Sequence, residues 1–501
     1  MTHDQIAKLS TYLSHQVTST IPLEIRPSSI AHAKHGLFTT AAIREGEEIF
    51  RSDPLITCVD DGIQNVVCDY CLSYSRSNVL PSGQFRQTEE EMQPLKTCSR
   101  CNVCYYCSKE CQLNAWRGYH KYECPILSKK KNLFVRTRAL YRLITMQKAG
   151  LIDAEQWDAV NHLEAHHTKY LRGPLSTSIV EIAISAKMET NMRIPEAQRI
   201  YCAILTNSMS IKSAEGSAPV LGTTLDVVGS FMNHSCNPTA LVFFEGRQMR
   251  VRSLLPLRAG EEITQTYVDP SGSVFLRQAI TEKDYFFKCV SPDEAGWIQK
   301  LDNSQQRLLK LINHAVAQHN QTELANLEAD AEKIIREPFP NGVWPDDMQP
   351  LPSLYGTFAR ICKDNNDVAG ATRCSLKASL TLRERTGDIW VHALFDTVQI
   401  VTLLCLPEQH AIFKGNSLFS KDDCWNVLYG YLGELKRATT RTFGSNSTYT
   451  KSIAWYSEAV LSAGQPCPGA RRFRAVFNIS QNKLLEWAGI EKSKGIAILA
   501  E

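Results

Sequence analysis

Between Ile21 and Val59 the apolar positions fall in short alternating or β-branched runs, Leu23-Glu24-Ile25, Gly36-Leu37-Phe38 and Glu48-Ile49-Phe50, separated by turn residues such as Arg44-Glu45-Gly46. A period of two predicts short strands and hairpins there. From Asn132 to about Ile211 the spacing becomes three and four, with Leu140, Leu143 and Ile144 on one face and few Gly or Pro residues, which predicts helices. Strand signals return at Ala240-Leu241-Val242-Phe243-Phe244 and Met249-Arg250-Val251-Arg252, with Glu245-Gly246-Arg247 as the hairpin loop between them. From Asp293 onward the helical spacing resumes, in Leu308-Leu309-Lys310-Leu311-Ile312 and from Ala369 to Leu382. Paired antiparallel helices stacked as a superhelix fit this stretch, although no clean repeat period is visible.

Composition narrows the class. A chain of 501 residues predicts two to four domains. Lys+Arg 55 against Asp+Glu 52 leaves a formal charge of +3, which gives no general drive toward nucleic acid or anionic membrane. Lys129-Lys130-Lys131 is a short basic run of the solvated kind, so sequence-specific DNA binding is disfavoured. The start, Met1-Thr2-His3-Asp4-Gln5, lacks a basic segment followed by an apolar one, so no secretory signal is expected. Ile389 to Leu406 is the most apolar run, yet His392, Asp396 and Gln399 inside it argue for a buried helix and against a membrane span. A soluble intracellular monomer, in nucleus and cytoplasm, is the expectation.

The 17 cysteines are then reduced thiols or metal ligands, and their spacing separates the two. Cys68-x2-Cys71, Cys98-x2-Cys101, Cys107-x3-Cys111 and His120-x3-Cys124 form four close pairs. Two pairs complete one tetrahedral site with no open position, so two structural zinc ions are expected. The expected arrangement is interleaved: Cys68, Cys71, Cys107 and Cys111 on one metal, Cys98, Cys101, His120 and Cys124 on the other. Cys104, between Val103 and Tyr105, reads as a buried small hydrophobe. Inside this segment Tyr106-Cys107-Ser108-Lys109-Glu110-Cys111-Gln112, Ala115-Trp116, His120-Lys121 and Cys124 resemble the MYND zinc finger. The resemblance implies a peptide-docking module with proline-rich partners. Leu72 to Thr97 is longer than compact fingers of this kind carry, and reads as a solvated loop.

Asn233-His234-Ser235-Cys236-Asn237-Pro238, followed by Gly260-Glu261-Glu262-Ile263-Thr264-Gln265-Thr266-Tyr267, resembles the SET methyltransferase core. With the finger and the segment Ile21 to Pro54, the order resembles the SET and MYND domain-containing protein-lysine methyltransferases over almost the whole chain. The implied fold is α+β: a SET-type β fold split by a MYND zinc finger, with a helical insert and an α-helical, TPR-like C-terminal domain. The implied boundaries are 1–60 for the first part of the SET domain, 61–128 for the finger, 129–206 for the helical insert, 207–270 for the SET core, 271–295 for the post-SET segment and 296–501 for the C-terminal domain.

The resemblance further implies S-adenosyl-L-methionine as cofactor and protein lysines, histone or non-histone, as substrates. It assigns the catalytic phenol to Tyr267 and cofactor contacts to Asn233, His234, Asn207, His166 and the Lys34-His35-Gly36 turn, with Tyr285, Phe286 and Phe287 closing the pocket. Two positions depart from the family pattern. Lys34 stands where the first glycine of a Gly-x-Gly turn is expected, and Ser291 and Glu294 replace two post-SET thiols, leaving Cys236 and Cys289 too few ligands for a third zinc. The alternative function these departures raise is a catalytically weak or inactive zinc-stabilised scaffold for protein–protein interaction.

Overall fold

The computed structural model describes residues 9, 12, 17–19, 21–75, 94–214, 219–269, 274–289, 298–318, 321–338, 350–382, 387–409, 419–464 and 470–497. Most of the Leu72 to Thr97 insert, and Ser291 and Glu294, lie outside them. The chain divides into two compact units, Met1–Tyr267 with Thr281–Phe287, and Val268–Ile280 with Lys288–Glu501.

In the first unit the alternating runs form strands as their period requires. Glu48–Ser52 lies between Val17–Thr18 and Gln248–Ser253, and Ala240–Glu245 completes that four-stranded sheet. Gly246, at φ 58°, makes the expected hairpin turn before Gln248. A second sheet runs Asn233–His234, Glu262–Gln265, His35–Thr39, Leu23–Pro27. Its Asn233–His234 pairing with Thr264–Gln265 is parallel, which brings the two sequence motifs of the SET core into register side by side. The third sheet places Gly222–Leu225 between Ile56–Val59 and Met209–Ile211. Side chains from all three sheets share one apolar core with the helical insert, including Leu37, Ile49, Phe50, Val251 and Ile263.

The insert is helical as its spacing predicts: Val135–Lys148, Ala154–His162, His167–Leu171, Ser176–Thr190 and Ile194–Asn207. Every residue from Thr137 to Ile144 is buried, so the middle two turns of Val135–Lys148 are enclosed on all sides, while Arg136 and Lys148 at its ends are exposed. The second unit is a series of helices, Ile298–Gln318, Gln321–Arg336, Leu351–Asp364, Val368–Leu382, Gly387–Leu404, Lys421–Phe443, Thr448–Ala463 and Ala470–Trp487. From Leu351 to Ala463 each helix packs on the next. Gly387–Leu404 buries Trp390, Val391, Leu394, Val398 and Val401, and no described helix is long and apolar enough to cross a membrane.

Gly222 sits at the centre of the third sheet, where an added Cβ would overlap the Cys58 carbonyl oxygen of the paired strand. Backbone cannot rotate away as a side chain can. Gly222→Ala is therefore expected to destabilise the chain by about 1–3 kcal/mol, read as a lower urea midpoint at an unchanged slope.

Candidate functional site

Two sulfur clusters form in the finger. Cys68, Cys71, Cys107 and Cys111 bring their sulfurs within 4.8 Å of one another, and so do Cys98, Cys101, His120 and Cys124 with their ligand atoms. The measured edges are 3.6 Å for Cys71–Cys107, 3.5 Å for Cys107–Cys111 and 3.9 Å for Cys98–Cys124. A tetrahedron with zinc–sulfur bonds of about 2.3 Å has sulfur–sulfur edges of about 3.8 Å, so both clusters fit zinc. Local backbone builds them. Leu72 and Asn102 take positive φ, 60° and 55°, immediately after the second cysteine of each x2 pair, and their N–H groups return to the Cys68 and Cys98 carbonyls. The Ser108 hydroxyl caps helix Lys109–Ala115 by accepting from the Cys111 N–H, which fixes Cys111 in the first turn.

The second cluster is wholly buried and is tied to a set of buried charges. His120 turns Nε2 toward Cys101 (3.6 Å) and Nδ1 toward the Glu123 carboxylate (3.2 Å), the carboxylate–histidine–metal order that fixes a ligand's orientation. Glu123 in turn accepts from Arg142 Nη2 (2.7 Å) and Nε (2.9 Å), while Asp69 accepts from Arg138 (2.6 Å) and Arg142 (3.0 Å). Arg142 also donates to the Thr57 carbonyl and lies over the Tyr119 ring, 3.9 Å from its centroid. Against the effect of burial, the two guanidinium groups hold Glu123 well below the usual carboxylate range. Cys104 is buried as expected, but not among apolar groups alone: Arg138 Nη2 reaches its sulfur at 3.0 Å. That contact is a correction to reading it as a plain hydrophobe.

The second constellation gathers where the two SET motifs run parallel. Tyr267 donates its backbone N–H to His234 Nδ1 (3.0 Å) and its phenol to the Met232 carbonyl (2.8 Å). His234 is buried, and this bond assigns its remaining proton to Nε2. Burial, then Tyr285 and Glu262, holds the Tyr267 phenol well above its ordinary range, so it is neutral at physiological pH. Tyr285 lies 4.8 Å from Tyr267 between ring centroids, and Phe287 lies 5.6 Å from His234. Phe286 has φ 62° and packs edge-on to His166 (5.2 Å) and Tyr170 (4.7 Å); His166 is itself left-handed at φ 43°. Two strained backbones in one contact are the kind of feature that clusters at functional sites.

Several expected cofactor residues are engaged with protein. Asn233 Nδ2 donates to the His35 carbonyl (2.9 Å) and to Glu262 Oε1 (2.6 Å), and Ser28 donates to the same carboxylate. An added Cβ at residue 36 would overlap that Glu262 carboxylate and press on the Asn233 amide, so Gly36 leaves room for this bonded pair. Asn207 Nδ2 donates to the Glu164 carbonyl (2.7 Å) and caps its own helix at Ala203. Lys34 points away from the strands and pairs with Glu164 at 2.6 Å. Glu164, His32 and the four buried charges carry no clear signal in the sequence; the one local signal is Asp69 beside Cys68 and Glu123 beside Cys124.

The SET domain family model matches residues 34–268. The histone-lysine N-methyltransferase SMYD3 of Mus musculus is 28% identical over 279 residues, which is 53% of this chain and 60% of that protein. The SET domain and MYND-type zinc finger protein 6 of Schizosaccharomyces pombe is 27% identical over 237 residues, 45% of this chain and 48% of that protein. The N-lysine methyltransferase SMYD2-B of Xenopus laevis is 24% identical over 265 residues, 51% and 56% respectively. The chain thus spans at most 60% of the length of these relatives. A solved Rubisco LSMT bound to AdoMet covers 97% of this chain and 94% of that chain at a TM-score of 0.27 and 13% identity.

Elemental analysis of the purified chain is expected to give two zinc ions, with one lost in Cys71→Ser and none in Cys104→Ser; fewer than two in the unaltered chain contradicts the paired clusters. Removing one partner from a buried charge set leaves the others uncompensated. Arg142→Met is expected to cost about 3–5 kcal/mol in chemical denaturation. Arg138→Met should cost less, because Nε and Nη1 of Arg138 have no partner among the described residues.

Proposed function

We propose that the chain, which is similar to SET- and MYND-domain proteins, is an S-adenosylmethionine-dependent protein-lysine N-methyltransferase. The observation that carries the reading is the partly buried, neutral Tyr267 phenol held by its own backbone to His234 and flanked by Tyr285 and Phe287. When bound, S-adenosylmethionine supplies an electrophilic methyl group. The residues of this chain suit that task. Asn233 and Glu262, bonded to each other beside Gly36, put an amide and a carboxylate where the two strands meet, groups of the kind that hold a nucleoside cofactor. The aromatic walls exclude water and favour the neutral form of an incoming lysine amine. Tyr267, with the Met232 carbonyl fixed beside it, orients that amine for in-line attack without acting as a base.

The same proposal takes histone or non-histone proteins as substrates, proline-rich peptides as partners of the finger, a monomeric state, and residence in nucleus and cytoplasm. The division at 60, 128, 206, 270 and 295 goes with it. Lys34, the feature that would favour an inactive scaffold, does not weaken the reading, because its side chain is largely exposed and occupied by Glu164.

Calorimetry on the purified chain is expected to show one S-adenosylmethionine site; no heat at millimolar cofactor overturns the proposal. Tyr267→Phe should leave that affinity nearly unchanged while lowering methyl transfer on the order of a hundredfold, since the phenol acts on the transition state. Asn233→Ala frees the Glu262 carboxylate and loosens the Gly36 strand. It should weaken cofactor binding roughly ten- to a hundredfold.

A further inference from the structure

The hairpin between Leu23–Pro27 and His35–Thr39 has a short, ordered tip. The Ser28 N–H returns to the Lys34 carbonyl (3.2 Å), the Ala33 N–H to the Ile30 carbonyl (2.9 Å), and the Ser28 hydroxyl anchors the base on Glu262 (2.8 Å). From this base two side chains reach out in different directions. The His32 imidazole lies flat on the Phe287 ring, centroids 3.6 Å apart and planes within 7°. The Lys34 ammonium pairs with Glu164, whose carboxylate also takes the His166 N–H (3.1 Å) and whose carbonyl takes the Asn207 amide (2.7 Å). One attachment is therefore on the aromatic group around Tyr267, and the other is on the loop that carries His166 and Asn207's partner.

We propose that the tip Ser28–Lys34 is a latch over the cofactor cleft, fastened by His32 on Phe287 and Lys34 on Glu164, and that a nucleoside cofactor enters by opening it. The inference rests on the methyltransferase reading for the identity of what enters. A ring stacked at 3.6 Å leaves no space for a second ring on that face of Phe287, so the face becomes available only when His32 leaves. The Lys34–Glu164 pair is exposed and weak by itself. Two weak attachments on one short loop release readily yet hold together, because opening requires both to break. Lys34 is then a fastening and not a lost glycine. His32 is an exposed residue, but partial desolvation of its ring lowers its pKa, so near neutral pH it stacks as the uncharged ring.

The test uses the full chain and two readouts. Hydrogen exchange without ligand reports the latch itself, and stopped-flow association with S-adenosylmethionine reports its effect on entry. His32→Ala and Glu164→Gln should each speed amide exchange of residues 29–34 and raise the association rate roughly two- to tenfold; Lys34→Met should match Glu164→Gln, which separates loss of the pair from damage to Glu164's other bonds. Unchanged exchange in both attachments overturns the latch. Faster exchange with an unchanged or slower association rate overturns its role in entry. Absence of binding in the unaltered chain and in all three variants instead defeats the cofactor reading, and the entry role with it.

Discussion

Four charges removed from water, Asp69, Glu123, Arg138 and Arg142, set the conditions that the first unit must meet. An isolated ion in such a place costs several kcal/mol, and only a closed set of partners offsets it. Asp69 and Glu123 come from the finger, next to zinc ligands in sequence; Arg138 and Arg142 come from the enclosed middle of helix Val135–Lys148; the Thr57 carbonyl comes from a SET strand. The finger, the insert and the β fold are therefore not independent modules on a string. Each supplies a group that another would otherwise leave unpaired. His120 carries the linkage to the metal cluster, since one ring nitrogen faces the thiols and the other faces Glu123. Metal binding and burial of the helix then stabilise the same arrangement.

A splice of this kind lets a finger interrupt a β fold and still be tied to it. The strands on either side of the interruption, Ile56–Val59 and Gly222–Leu225, pair with each other, so the sheet closes across the insertion. The far edge of the same β fold holds the candidate chemistry. There the parallel pair Asn233–His234 with Thr264–Gln265 sets His234 under the backbone of Tyr267. The zinc clusters stabilise, and the aromatic cluster would react.

Much of this was legible because it is written in local signals. Cysteine spacing specified the two ligand sets, since x2 and x3 loops can bring sulfurs together in few ways, and the structure gathers the same two sets. Period-two runs and the Gly246 turn announced the strands, and the Asn-His-Ser-Cys and Gly-Glu-Glu-Ile segments pointed to one place in space. What escaped were contacts between residues far apart in the chain. Arg138 and Arg142, four residues apart on a helix, look like an exposed polar stripe; only the enclosure of the helix's middle two turns makes them internal. Glu262 read as half of a motif, whereas it is the hub that holds Asn233, Ser28 and the Gly36 strand. Lys34 reads as a departure because glycine arguments concern the backbone, and its side chain pairs with Glu164, a partner 130 residues away in the chain.

If Tyr267 and its aromatic neighbours transfer methyl groups to protein lysines, as proposed, transfer can be observed without knowing the substrate in advance. Proteins from a cell extract, incubated with the purified chain and S-adenosylmethionine carrying a tritiated methyl group, should acquire label that amino-acid analysis recovers as methyllysine, and the label should fall away with Tyr267→Phe. Label recovered on another residue type, or equal labelling by the Tyr267→Phe chain, would contradict it.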